Sequence, residues 1–247
     1  MKKIIYLFIP AVIAILFACE NEKNTFSDVP TIYLSGDPAQ NAKTDSVIFS
    51  FKLLGSSVTD YDINLIVNIA GIVSDKDRKF ELEIVPEKTN VTAENYTLGE
   101  LVVPAKSFKA IIPVNLKRSI PGINLLVTNA RLTLKVKSNE NFSIGAIEYA
   151  TYTIAWCDYL VKPSTWSNVI NYYIGPFTQS RFKFIIDYTG LTSFESLLTN
   201  GSFDYNKQLN FQAKLIGLLN KYNSEHPGNP YLNDNGQPLQ FGAGLTN

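Results

Sequence analysis

Phe108-Lys109-Ala110-Ile111-Ile112-Pro113-Val114-Asn115-Leu116 is the stretch that decides the fold class. Phe108, Ala110, Ile112, Val114 and Leu116 share one face, and a period of two is that of a half-buried strand. Pro113 cannot donate to a ladder, so the strand should meet a sheet edge or a bulge there. The same period extends in both directions. Val47, Phe49, Phe51 and Leu53 alternate with Ile48, Ser50 and Lys52, and Ile63, Leu65, Val67 and Ile69 repeat the pattern. Phe80, Leu82 and Ile84 follow, then Leu132, Leu134 and Val136, and finally Thr151, Thr153 and Ala155 opposite Tyr152, Ile154 and Trp156. Turn clusters lie between them at Gly55-Ser56-Ser57, Ser74-Asp75-Lys76-Asp77 and Pro121-Gly122. Short strands in sequence with no helical pattern between them predict an antiparallel β-sandwich over residues 31–161.

Beyond Trp156 the character changes, and residues 162–247 read as a smaller α+β region. Lys162-Pro163-Ser164-Thr165-Trp166 is a linker or first turn, and Ile170 to Ile174 with Phe182, Phe184 and Ile186 predict two strands around Gly175-Pro176. Phe211, Leu215, Leu218, Leu219 and Tyr222 then fall on a helical stripe, giving one amphipathic helix from about Asp204 to Ser224. Asp204 is the expected N-cap, and Pro227-Gly228 stops the helix. Asn235-Gly236, flanked by apolar residues, predicts a hairpin with a type I′ turn.

The N-terminus reads as an address. Lys2 and Lys3 precede an apolar run from Ile4 to Phe17, which is short for a membrane span and is interrupted by Pro10. Ala18-Cys19 closes it, so residues 1–18 are expected to be a removed signal peptide. The small residue before Cys19 resembles the lipobox of bacterial lipoproteins, which implies that Cys19 is lipidated and becomes residue one. Residues 19–30, beginning Cys19-Glu20-Asn21-Glu22-Lys23-Asn24, then form a polar tether. Acids directly after the lipidated Cys resemble the surface-export signal of Bacteroidetes lipoproteins, implying a lipid-anchored protein exposed outside the outer membrane.

Composition limits the chemistry. The 247 residues carry 22 Lys+Arg against 22 Asp+Glu, and loss of residues 1–18 removes two Lys, leaving 20 against 22. A nearly neutral chain has no field for nucleic acid. One His and two Cys leave little for a His/Cys metal site or for His-based catalysis. His226, just past the helix, reads as a partner of the helix C-terminus. Cys157 reads as a buried thiol, and no disulfide is expected. Asp60 with Asp62, and Asp75 with Asp77, are oxygen donors in turns, but no complete calcium loop accompanies them. No cofactor, no metal and no catalytic residue is expected. Paired carboxylates of the glycosidase kind cannot be located from spacing.

Two resemblances add to this reading. Thr92-Ala93-Glu94-Asn95-Tyr96-Thr97, Leu101-Val102-Val103-Pro104-Ala105 and the strand from Ala110 to Leu116 together resemble the central part of Calx-β-type sandwiches, which implies that the predicted β-sandwich is immunoglobulin-like. Asn95 stands where that family often has Asp. The lipobox, the tether, Lys162-Pro163-Ser164-Thr165-Trp166, Phe182-Lys183-Phe184-Ile185-Ile186-Asp187 and Lys221-Tyr222-Asn223-Ser224-Glu225-His226-Pro227-Gly228-Asn229-Pro230 resemble an uncharacterised family of Bacteroidetes lipoproteins. Members of that family are encoded beside starch-utilisation (Sus) type uptake systems. That resemblance implies nutrient capture at the cell surface, with a TonB-dependent transporter and its lid lipoprotein as partners.

Sugar-binding surfaces present flat aromatic rings beside amides and acids. Trp166, Tyr172, Tyr173, Phe177 and Tyr188 crowd a stretch that also holds Asn168, Asn171 and Gln179. For any one of these rings, packing in a core is the commoner role. Trp166, after a Pro-Ser-Thr turn, is the first expectation for an exposed ring, and Tyr172 and Tyr173 on one strand should face opposite ways. The expected function is therefore non-catalytic binding of an oligosaccharide. The alternative is an assembly partner of a transporter that binds no glycan, and a hydrolase, which no motif favours, stands behind both.

Overall fold

The computed structural model describes residues 29–38, 43, 45–242, 244 and 245. The leader, Cys19 and the acidic tether lie outside these residues. Among the described residues eleven strands form in the first part: β1 (Thr31–Gly36), β2 (Ser46–Ser50), β3 (Asp60–Ala70), β4 (Arg78–Lys79), β5 (Glu81–Ile84), β6 (Tyr96–Leu98), β7 (Val102–Val103), β8 (Lys109–Lys117), β9 (Ala130–Lys137), β10 (Ser143–Ile144) and β11 (Thr151–Cys157). The second part adds α1 (Asn168–Ile174), α2 (Gln179–Thr189), β12 (Leu198–Thr199), β13 (Ser202–Phe203) and α3 (Tyr205–Glu225). Among the described residues strand outweighs helix, 32% against 25%, so the fold is mainly β.

One sheet runs β10-β1-β3-β8-β6 and the other β2-β11-β9-β5. Their facing sides make one core, in which Ala110, Ile112, Val114 and Leu116 of β8 meet residues such as Leu132, Leu134, Tyr152 and Trp156. The alternation of β8 holds from Ala110 to Leu116, whereas Phe108, just outside the strand, is exposed. Two strand pairs are parallel, contrary to the wholly antiparallel expectation: β1 with β10 and β2 with β11. The chain changes sheets between β1 and β2, so β2 finds its neighbour far along the sequence. The run Val47 to Leu53 is also not one strand. Ser50 is buried and donates its hydroxyl to the Tyr159 carbonyl, Phe51 to Leu53 tighten into a 3₁₀ turn, and Leu53 points to solvent.

Pro113 sits where its missing donor does no harm. Its carbonyl accepts the Gly99 N–H at 2.8 Å, on the side away from β3. In a strand the N–H and C=O of one residue point the same way, so the proline ring faces the end of β6, the edge strand of its sheet. Gly99 makes room for it, because a Cβ there would stand 2.7 Å from Pro113 Cδ. Asn95, at the Calx-like turn, is spent internally: its Oδ1 accepts from the Thr92 N–H and hydroxyl at 2.9 and 3.1 Å.

A second core gathers Leu160, Trp166, Ile170, Ile174, Phe182, Phe184, Ile185, Phe194, Phe211, Leu215 and Leu219. The two strands expected around Gly175-Pro176 are helices. Ser167 and Thr178 cap them by accepting from Ile170 N and Arg181 N, and Gly190, with φ of 73°, ends α2. Ile170 with Ile174, and Phe182 with Ile185, have the i,i+4 and i,i+3 spacing of a helix face. Three apolar residues at 182, 184 and 186 are too few to separate the two periods. The third helix follows the sequence closely: Asp204 caps it through the Lys207 N–H at 3.1 Å, and Phe211, Leu215 and Leu219 are buried. Its C-cap is His226, whose Nδ1 lies 2.8 Å from the Tyr222 carbonyl and whose ring stacks on Tyr222.

Asn235-Gly236 does not form the expected type I′ hairpin. Of the two, only Gly236 has positive φ, and a single bridge joins Leu232 to Pro238. The neighbouring Asp234 instead caps α2, accepting from Gln179 N and Ser180 N at 2.7 Å each. At the junction of the two parts, Gln179 exchanges hydrogen bonds with both backbone groups of Leu160. Arg118 grips Asp158 through two bonds of 2.9 and 2.8 Å.

Candidate functional site

The five aromatic residues singled out from the sequence separate into three groups. Trp166 is only 2% exposed, which corrects the expectation that it stands in solvent. Its backbone N–H donates to the Pro163 carbonyl, and Thr165 Oγ1 receives the Phe194 N–H, so the Pro-Ser-Thr turn drives the ring inward. There it meets Phe177, Phe182 and Phe194 edge-on at 5.2, 5.6 and 5.2 Å. Phe177 is half-buried against the same core. These two rings are packing.

Tyr172 and Tyr173 lie on α1, so they point about 100° apart instead of to opposite faces. Tyr172 is 55% exposed. Tyr173, partly buried, is the hub of a cluster: its ring centre is 5.2 Å from Tyr172, 6.0 Å from Phe203 and 6.2 Å from Tyr205. Phe203 and Tyr205 are themselves 47% and 56% exposed. The result is an aromatic ledge with one half-sunken ring and three raised ones.

Rigid local structure sets each ring of the ledge. Asn200 and Gly201 have φ of 52° and 74°, the pair of positive values that a type I′ turn requires, and the β12–β13 hairpin they close delivers Phe203. The type I′ signal was therefore in the sequence, at Asn200-Gly201 and not at Asn235-Gly236. Tyr205 follows the capping Asp204, whose carboxylate also accepts the Thr199 hydroxyl at 2.7 Å. That bond, followed by the Lys207 amide, holds Asp204 below the ordinary carboxylate range. Gln212 donates to the Tyr173 carbonyl at 2.7 Å, tying α3 to α1. Burial, then the phenols of Tyr205 and Tyr172, keep the Tyr173 phenol above its usual pKa. Its hydroxyl therefore stays a neutral donor and acceptor across the physiological range.

Tyr188 belongs to a different cluster. It is 40% exposed, stacks on Phe184 at 4.4 Å and approaches Tyr222, which in turn meets Tyr231 and His226. Tyr231 is pushed up to about 12 by burial, with Asp187 adding to the effect. Of the polar residues named with the aromatics, Gln179 is committed to the fold through Leu160, Asn168 is exposed at the start of α1, and the Asn171 side-chain oxygen is buried without a hydrogen-bond partner among the described residues.

The remaining chemistry is structural too. Asn115 Nδ2 bridges Asp60 and Asp62 at 3.1 and 2.8 Å, and Asp77 receives the Ala105 N–H. Among the described residues no group of three or more His, Cys, Asp or Glu is placed to hold a metal ion. Cys157 is buried with its sulfur toward the Tyr159 carbonyl, and burial pushes its thiol pKa up. Among the described residues no helix is long and apolar enough to cross a membrane.

Residues 26–191 match the model of DUF4843, a domain of unknown function. The chain belongs to the DUF4843 family. The DUF4843 match takes in the sandwich, α1 and α2, and it ends before the hairpin that carries Phe203. No curated protein matches the chain in sequence. A Bacteroides ovatus protein provisionally assigned to carbohydrate binding is 9% identical, with 52% of this chain and 37% of that one covered at a TM-score of 0.38. EndoBT-3987 of Bacteroides thetaiotaomicron, solved with a Man5GlcNAc product, is 9% identical over 51% of this chain and 31% of that one, at 0.39. The Calx CBD1 domain is 9% identical, with 52% of this chain and 97% of that one covered at 0.31. This DUF4843 chain thus spans roughly a third of the length of the first two proteins.

Proposed function

We propose that this DUF4843 chain is a lipid-anchored protein of the outer-membrane surface that binds carbohydrate without catalysis, through the ledge of Tyr172, Tyr173, Phe203 and Tyr205. The observation that carries this reading is the ledge itself. Three large rings left about half exposed around a fourth, on elements fixed by a cap and a tight turn, form a contiguous aromatic surface, and three of the four rings carry phenolic hydroxyls. Such a patch is costly to leave in water unless something covers it. A pyranose offers an apolar face for the rings and hydroxyls for the phenols. The absence of catalysis is supported by the commitments of His226 to the helix end and of Cys157 to the core. The sequence resemblance supports a working place beside a Sus-type transporter and its lid lipoprotein.

Two measurements test it. The mature protein should bind an oligosaccharide in a glycan screen, and Tyr172→Ala with Tyr205→Ala should weaken that binding by about tenfold or more, since each ring contact contributes about 0.5–1.5 kcal/mol. The melting temperature should hardly move, because both rings are exposed. Equal affinity in the double variant, or no glycan bound, overturns the reading. Cys19→Ser should release the protein from the membrane fraction, because anchoring is then lost. Retention of this variant with an intact leader argues instead for an uncleaved apolar anchor.

A further inference from the structure

The strand β2 is the open edge of its sheet. Its one neighbour among the described residues is β11, in parallel register with Ser46 opposite Thr153, and the Thr153 N–H donates to the Asp45 carbonyl at 3.0 Å. Backbone groups in a ladder alternate between facing the neighbour and facing away. Val47 and Phe49 therefore face β11, while Ser46, Ile48 and Ser50 face outward. The Ser46 carbonyl confirms the side, since it accepts the Lys43 N–H at 2.7 Å. Opposite the Ile48 N–H and C=O no strand is paired among the described residues, and the Ile48 side chain is 51% exposed.

The other edges are guarded in the ways that keep sheets from adding strands. The β10 edge has two residues, and β6 has three and ends against Pro113. The β5 edge carries Glu81 and Glu83, paired with Lys137 and Lys135. By contrast, Ser46-Val47-Ile48-Phe49-Ser50 holds neither charge nor proline. It opens into a cleft of about 360 Å³ whose lining includes Ser46, Ile48, Leu53, Lys162, Ser164 and Thr192. Lys43 also lines this cleft, and among the described residues no carboxylate does.

We propose that this cleft takes an extended, acidic peptide segment of a partner protein, which adds a strand to β2. The outward N–H and C=O of Ile48 supply the ladder, alternate side chains of the guest enter the cleft, and Lys43 and Lys162 select acidic residues. This surface is separate from the aromatic ledge and does not depend on its function.

A capped peptide alternating Glu and Val is the probe, titrated into the mature protein with amide hydrogen exchange as the readout. Binding should weaken with added salt and slow exchange at Ile48 by about tenfold or more, as a new ladder bond protects the amide. The same peptide methylated on its ladder nitrogens should not bind. Lys162→Glu should weaken binding by about tenfold, in line with loss and reversal of a charge contact, and Ile48→Pro should abolish it. Because Ile48→Pro also tests the fold, the methylated peptide and Lys162→Glu decide the matter without it. No binding, or binding indifferent to methylation and to Lys162→Glu, overturns the proposal. So does protection of Ile48 by self-association of the chain or by an oligosaccharide.

Discussion

Trp166→Ala is expected to lower stability by about 3–5 kcal/mol, the range for a large aromatic truncated inside a close-packed core. The ring is surrounded on three sides by Phe177, Phe182 and Phe194, all in edge-on contact, so truncation leaves a cavity that those rings cannot refill without leaving their rotamers. For a chain of this length the melting temperature should fall by roughly 6 to 20 °C. Glycan affinity, measured well below the new melting point, should be unchanged per folded molecule, because Trp166 lies beneath the surface and not on the ledge. The opposite pattern, an unshifted melt with lost binding, would return Trp166 to the exposed position that its sequence context suggested. Thermal unfolding and glycan titration of the one variant, set beside the Tyr172/Tyr205 pair, separate a core ring from a contact ring.

What was legible in the chain depended on how local its cause is. The alternation of Ala110 to Leu116 and of Ile63 to Ile69 became β8 and β3, because a strand with one buried face writes its burial into every second residue. Asp204 became an N-cap because capping is a contact between neighbours in sequence. The parallel pairing of β2 with β11 joins residues about a hundred positions apart and leaves no local trace. Residues 168–189 misled for a different reason. Ile170, Ile174, Phe182, Phe184 and Ile186 satisfy either period, and the caps at Ser167 and Thr178 decide for helix. For the site, aromatic content pointed to the right region but not to the right rings. Exposure is a property of what packs opposite, so Trp166 went inside, Tyr172 stayed out, and Phe203 and Tyr205 were recruited through a turn at Asn200-Gly201 that could have been read.

The ledge rests on α3, and Leu215 is where that support is tested. The helix lays Phe211, Leu215 and Leu219 into the second core, with Leu218 and Tyr222 packed at its margin, while Lys221 and Glu225 pair on the solvent side. Leu215 is fully buried. Leu215→Ala should therefore cost about 2–5 kcal/mol, the spread reflecting how far the site can collapse onto the smaller side chain. A helix kept free for a partner would behave otherwise, with its stripe in solvent, an unchanged melt and a lost association. The two tryptophans locate the damage, since Trp156 lies in the sandwich core and Trp166 in the second. In a Trp156→Phe background, Leu215→Ala should shift the denaturant midpoint of Trp166 emission to lower concentration. In a Trp166→Phe background, Trp156 should report a smaller shift, because the sandwich has its own core. Because Tyr205 is the first residue of α3 and Gln212 ties that helix to Tyr173, glycan binding should be lost in step with Trp166 emission. Binding that outlasts the unfolding of the second core would separate the ledge from the helix and place the ligand elsewhere.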